Sequence, residues 1–192
     1  MARSLSLPRS LYLWPSSIYG LTTGALLLIA GATADIIGAR RVEITGIFGL
    51  GITMLACGLS KTGVQLVVFR GLMGLASAMH LPASVAIVTT AVPPGRARNI
   101  GFACLGLSQP LGFSVGLVVS GVMIERAGWR SAFYLCSGVT LVVALIAMWG
   151  LPKPRSEHGG LGVILNRVAT EIDWVGGLIA SGGLAMLSYV LA

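Results

Sequence analysis

The chain has 192 residues, of which 55% are apolar and only 10% charged. Soluble domains carry about a quarter charged residues, so this balance excludes an ordinary water-soluble protein and places the chain among membrane proteins. The net charge of +7 does not point to nucleic acid, because the cations fall in ones and twos between apolar runs, with no basic face. The 27 glycines fit membrane helices, where small residues let backbones approach closely. Cys57, Cys104 and Cys136 each lie inside an apolar run and read as buried thiols, neither a disulfide framework nor a metal site.

Residues 1–11 read as a polar leader, with Arg3, Arg9 and no acid before Asp35. A transit or signal peptide would share that composition, but the apolar run that follows continues directly into an organised turn. A span needs about 20 mostly apolar residues. Six stretches qualify: 12–34, 44–60, 64–91, 99–123, 131–151 and 174–192. The expected fold is therefore an all-α, polytopic membrane helix bundle. A five-helix block over 12–151 is followed by a linker over 152–173, rich in proline, glycine and charge, and then by the sixth span. Alternate loops place seven cations (Arg40, Arg41, Arg96, Arg98, Lys153, Arg155, Arg167) against three (Lys61, Arg126, Arg130), which puts the 35–43, 92–98 and 152–173 loops in the cytoplasm.

Between the first two spans lies Gly31-Ala-Thr-Ala-Asp35-Ile-Ile-Gly38-Ala-Arg40-Arg41. Gly38 supplies the backbone freedom a tight turn needs, Asp35 can face the positive end of the following helix, and Arg40 and Arg41 are expected in water or lipid headgroups. The stretch resembles the loop G-x-L-A-D-R-x-G-R-K/R that joins the second and third helices of major facilitator transporters. Gly31, Ala34, Asp35, Gly38 and Arg40 match; Thr33, Ile36 and Ala39 depart.

The third span holds Arg70 well inside it. A permanent charge at membrane depth is costly and should face the bundle interior or a wet cavity. At helical spacing it shares a face with Gly74, Ser77 and Leu81, which predicts a groove of small residues beside it. The plainer alternative is an arginine that bonds neighbouring carbonyls and fixes packing. The stretch is similar to the fourth-helix motif of proton-coupled facilitators, which implies a part for Arg70 in proton exchange. His80 lies about 15 Å further along the same helix. It is a candidate proton relay, although a histidine satisfied by a neighbouring carbonyl is the better expectation.

In the fourth span Ser108, Gly112, Gly116 and Ser120 recur at i+4 steps and make a smooth ridge for close helix packing. Pro110 removes a helix hydrogen bond within it and favours a kink. The stretch 106–116 resembles the fifth-helix antiporter signature, with Gln109 replacing a glycine. Gln109 either lines a substrate path or bonds across helices. Gly128-Trp129-Arg130-Ser-Ala-Phe133 resembles the junction between the family's fifth and sixth helices, where Trp129 and Arg130 suit interface anchoring. Asp173-Trp174-Val-Gly176 resembles the start of the extra helix of fungal fourteen-helix drug:proton antiporters, with the acid suited to a helix N-terminus.

No nucleotide loop, metal cluster or nucleophile–base arrangement occurs in the sequence, so an enzyme is not expected. The six spans correspond to the family's second through seventh helices, leaving its first helix and C-terminal half without counterparts. The resemblance implies a fragment of a multidrug or small-molecule antiporter, with no cofactor and a proton gradient as energy source. Its partners are the lipid bilayer and a small-molecule substrate, in the plasma membrane or alternatively the vacuolar membrane. The alternatives are a non-transporting helical membrane protein, or a facilitator for a siderophore, amino acid or polyamine.

Overall fold

A computed structural model describes residues 14–151, 170 and 173–191. The leader over 1–11 and nearly all of the linker over 152–173 lie outside the described residues. Among the described residues six helices are complete: α1 (Trp14–Ile37), α2 (Ala39–Leu59), α3 (Gly63–Ala91), α4 (Arg96–Ala127), α5 (Trp129–Gly150) and α6 (Trp174–Leu191). The first five are long and apolar enough to cross a membrane. The all-α membrane bundle expected from the sequence is therefore the observed architecture, and α4 continues unbroken through Pro110.

Two of the connections are shorter than hydropathy suggested. The loop expected over 35–43 is the single residue Gly38, at φ 104, because α1 continues through Asp35 and α2 starts at Ala39. Gly128, at φ 82, alone separates α4 from α5. A side chain at either position would be strained, since only glycine adopts positive φ without a Cβ clash. Between α2 and α3, Thr62 and Gln65 form a reciprocal capping box: Thr62 Oγ1 accepts from the Gln65 N–H, and Gln65 Oε1 accepts from the Thr62 N–H.

The helices pack in the spatial order α6–α1–α3–α2–α5, with α4 resting along α5 and touching α3. The interior mixes alanines with larger apolar side chains. Ala34, Val42 and Ala83 fill one end, Leu50, Met73 and Ala76 the middle, and Cys57 and Leu66 the other end beneath Phe69, Trp129 and Phe133. Lipid tails are as apolar as leucine, so helix association in a membrane depends on close van der Waals fit and interhelical hydrogen bonds. Gly51 and Gly58 provide that fit between α2 and α5: a Cβ on Gly51 would lie 2.6 Å from Leu141 Cδ2, and one on Gly58 2.5 Å from Tyr134 Cε1. The same crossing carries hydrogen bonds from Ser137 Oγ to the Gly51 carbonyl (2.7 Å) and from Tyr134 OH to the Gly58 carbonyl (2.9 Å).

The ridge of Ser108, Gly112 and Gly116, with Ser120, does not pack against another helix among the described residues. No residue of α4 is buried, and nothing lies within 4 Å of a Cβ placed on Gly112 or Gly116. Ser108 and Ser120 turn their hydroxyls back onto the carbonyls of Leu105 and Leu117 in their own helix. Spacing identified a smooth face correctly but could not say whether a partner covers it. The cysteine expectation is also corrected in part. Cys57 is buried, whereas Cys104 and Cys136 lie on the outer faces of α4 and α5.

Candidate functional site

The face of α3 expected to open beside Arg70 is occupied by α1. A Cβ on Gly74 would lie 2.7 Å from the Tyr19 carbonyl oxygen and 2.9 Å from Thr22 Cβ, so the two backbones are nearly in contact. Tyr19 OH and Ser77 Oγ hydrogen-bond at 3.0 Å, and Thr23 Oγ1 lies within bonding distance of the Tyr19 and Gly74 carbonyls. The groove of small residues is thus a helix crossing. Arg70 sits beside it, with its guanidinium carbon 5.0 Å from the centre of the Phe133 ring. That geometry is a cation–π contact, and it ties α3 to α5. Among the described residues, no group accepts a hydrogen bond from the buried Arg70 Nε.

His80 has a partner that the sequence reading did not single out. Its Nδ1 lies 2.9 Å from Glu43 Oε1, the one acid–base contact within 4 Å among the described residues. The two groups are close but not aligned as a hydrogen bond, and Glu43 Oε2 is buried with no partner. A carboxylate therefore takes the place of the carbonyl expected for His80. Gly46 makes the approach possible, since a Cβ there would lie 3.0 Å from the His80 backbone nitrogen. The exposed edge of His80 lines a cavity of about 350 Å³ between α3 and α4, together with Leu81, Ser84, Phe102, Ser108 and Gln109. The structure brings His80 and Gln109 into one cavity, while Arg70 stands ten residues, or about 15 Å, away along α3.

The charged turn residues cap helices. Arg40, in the first turn of α2, donates from Nε to the Leu151 carbonyl (3.2 Å) and from Nη2 to the Met148 carbonyl (2.7 Å) at the end of α5. Arg130, in the first turn of α5, donates to the Ser60 carbonyl at the end of α2 (2.7 Å), with its guanidinium 5.1 Å from the Trp129 ring. Arg98 does the same for α3, donating to Val92 and Thr89. None of α2, α3 and α5 has a basic residue in its own last turn. Antiparallel neighbours supply the cations that the orphan carbonyls and helix dipoles favour. Arg40 and Arg130 are thus engaged by protein rather than left to solvent or headgroups, while Arg41 is exposed.

Asp35 does not cap α2, whose N-terminus has no side-chain cap bond. It is exposed and lines a groove with Gly31, Pro82, Thr89 and Thr90, between α1 and the end of α3. Asp173 does cap its helix: the Gly176 N–H donates to Asp173 Oδ1 at 2.8 Å, directly ahead of the exposed Trp174. Trp129 stacks edge-on with Phe133 at 6.0 Å and helps cover Cys57 and Leu66, so it packs as well as anchors. Glu43 is the functional candidate the sequence reading missed. Its signal was available, as an acid four residues into an apolar helix and opposite the only histidine of the spans.

The sequence model of the Major Facilitator Superfamily matches residues 1–191. MFS-type transporter 1 of Pyricularia oryzae is 37% identical over 218 residues, covering 100% of this chain and 35% of that protein. The major facilitator superfamily multidrug transporter mdr3 of Aspergillus fumigatus is 28% identical over 180 residues, covering 91% and 33% respectively. A low affinity ammonium transporter of Saccharomyces cerevisiae is 29% identical over 181 residues, covering 92% and 34%. The chain spans about a third of the length of these relatives.

Proposed function

The chain belongs to the Major Facilitator Superfamily, and from that membership we propose that it serves proton-coupled export of small, drug-like molecules across a membrane. Its family is one of multi-pass membrane transporters, not enzymes. The observation that carries the coupling is Arg70. Among the described residues its buried Nε has no acceptor, and its charge lies against Phe133, at a depth where a charge persists only with a role or a wet surround. His80 and Gln109, on the walls of one cavity, supply polar groups along a path between α3 and α4. The multidrug relative supports a drug-like cargo, and the ammonium relative supports a small cation as the second reading. Transport in this family's manner uses helices related by repeats that rock about a central site. Residues lining that site here act by binding and by moving charge.

The test uses vesicles containing a chimera in which this chain replaces the matching segment of the Pyricularia oryzae relative. An imposed pH gradient should drive a fluorescent drug across the membrane, and a protonophore should abolish the movement. Drug movement that is indifferent to the gradient would refute proton coupling. Gradient-driven movement of ammonium analogues but not of drugs would favour the second reading.

A further inference from the structure

We propose that Glu43 and His80 form a proton-binding dyad that joins the cavity between α3 and α4 to the buried α2–α3 crossing. The two side chains meet across a crossing that Gly46 keeps tight, with the imidazole 2.9 Å from the carboxylate. The Glu43 side chain is only 7% exposed, whereas that of His80 is 33% exposed and reaches the cavity. Protons can therefore arrive at His80 from the cavity and pass inward, but they have no direct route to Glu43.

The step conserves charge. Once the ring turns its Nδ1–H into line with Glu43 Oε1, an imidazolium donates that proton to the carboxylate, leaving a neutral imidazole and a neutral carboxylic acid. The ring can then take a second proton from cavity water. Among the described residues, no other ionisable group of the surrounding elements reaches the dyad. On α4 the cavity wall is Phe102, Leu105, Gly106, Ser108 and Gln109, with nothing ionisable. On α1 the acid Asp35 lines a different groove beside Thr89 and Thr90. On α2, Arg40 is bound to the α5 carbonyls and Arg41 is exposed. On α5, Arg130 is engaged at the far end with Ser60, and on α3, Arg70 lies about 15 Å away.

This site deepens the proton-coupled reading and rests on it for its part in transport, though not for proton binding itself. The experiment therefore reads the proton site without transport. The chain carries two histidines, so His158→Gln leaves His80 as the one histidine for diethyl pyrocarbonate, which acylates the neutral ring and is read by the carbethoxyhistidine absorbance. In lipid nanodiscs near neutral pH, Glu43→Gln should speed modification of His80 about three-fold or more, because an amide cannot take part in the dyad and leaves the ring open to the reagent. Glu43→Asp, which keeps the charge, should stay nearer the parent rate, and His80→Gln should remove the signal. An unchanged rate in Glu43→Gln, or a Glu43→Asp rate equal to that of Glu43→Gln, would overturn the dyad. A dyad upheld by these rates, in a chimera whose transport ignores the pH gradient, would stand as a proton site while the coupling reading fell.

Discussion

Gly74→Ala should destabilise this chain more than any glycine substitution on α4. The added methyl would sit 2.7 Å from the Tyr19 carbonyl oxygen, 2.9 Å from Thr22 Cβ and 3.2 Å from the Thr23 nitrogen. Two of those three atoms are backbone, so no rotamer change relieves the overlap and α1 must retreat from α3. Retreat also stretches the Tyr19–Ser77 and Thr23–Gly74 hydrogen bonds that lie within the same crossing. Overpacking of this kind typically costs about 1–3 kcal/mol, and each lost hydrogen bond adds about 1 kcal/mol. With both bonds lost the total is about 3–5 kcal/mol, which for a domain of this size corresponds to a fall in melting temperature of about 6–20 °C. Gly112→Ala is the control. Nothing lies within 4 Å of the new methyl, and alanine's better helix propensity gives up to about 1 kcal/mol in return. Thermal unfolding of detergent-solubilised protein, followed by accessibility of buried Cys57, would measure both. Equal melting temperatures for the two variants, or a larger fall for Gly112→Ala, would refute the packing described for α1 and α3.

Three further outcomes follow from the same geometry. Arg40→Ala and Arg130→Ala should each lower stability by about 1–2 kcal/mol, and their effects should add, because the two caps lie at opposite ends of the α2–α5 crossing; a double-mutant cycle measures the coupling. Asp173→Ala should free the Gly176 N–H and weaken α6 at its start by about 1 kcal/mol, seen as faster hydrogen exchange at Gly176 and Gly177. In a cysteine-free background, a cysteine at Arg96 should be shielded from impermeant thiol reagents added outside, and one at Lys61 should react; equal labelling would overturn the orientation drawn from the loop charges.

Most of the fold was legible because apolar length decides membrane spans. The stretch 64–91 and the helix Gly63–Ala91 nearly coincide, and α6 begins at Trp174, where the sixth apolar stretch begins. Hydropathy failed at the charged ends. Asp35, Arg40 and Glu43 read as loop because charges are costly in lipid, yet the backbone continues as helix on both sides of Gly38. Arg40 is accommodated by the α5 carbonyls and Glu43 by His80, partners that lie far away in sequence. The candidate site was legible in the same uneven way. His80 and Gln109 were recognised singly as polar groups within spans, but periodicity on one helix cannot show which residues share a cavity with a neighbour. Nor can it distinguish a groove from a crossing, which is why the small face beside Arg70 was read as open although Tyr19 and Thr22 fill it. On α4 the same spacing marks small residues at packing intervals, and among the described residues no helix lies against Gly112 or Gly116.

The most direct measurement of the central claim separates substrate movement from proton coupling at Arg70. The chimera carrying Arg70→Ala would be reconstituted into vesicles, and two rates compared with those of the parent: drug accumulation driven by a pH gradient, and drug exchange across the membrane with no gradient imposed. If Arg70 is the charge through which the gradient acts, accumulation should be lost while exchange persists. Arg70→Lys should also lose most of the accumulation, because an ammonium cannot reproduce the planar guanidinium and can give up its proton when desolvated. Undiminished gradient-driven accumulation in Arg70→Ala would contradict the account and leave Arg70 as a packing residue held against Phe133.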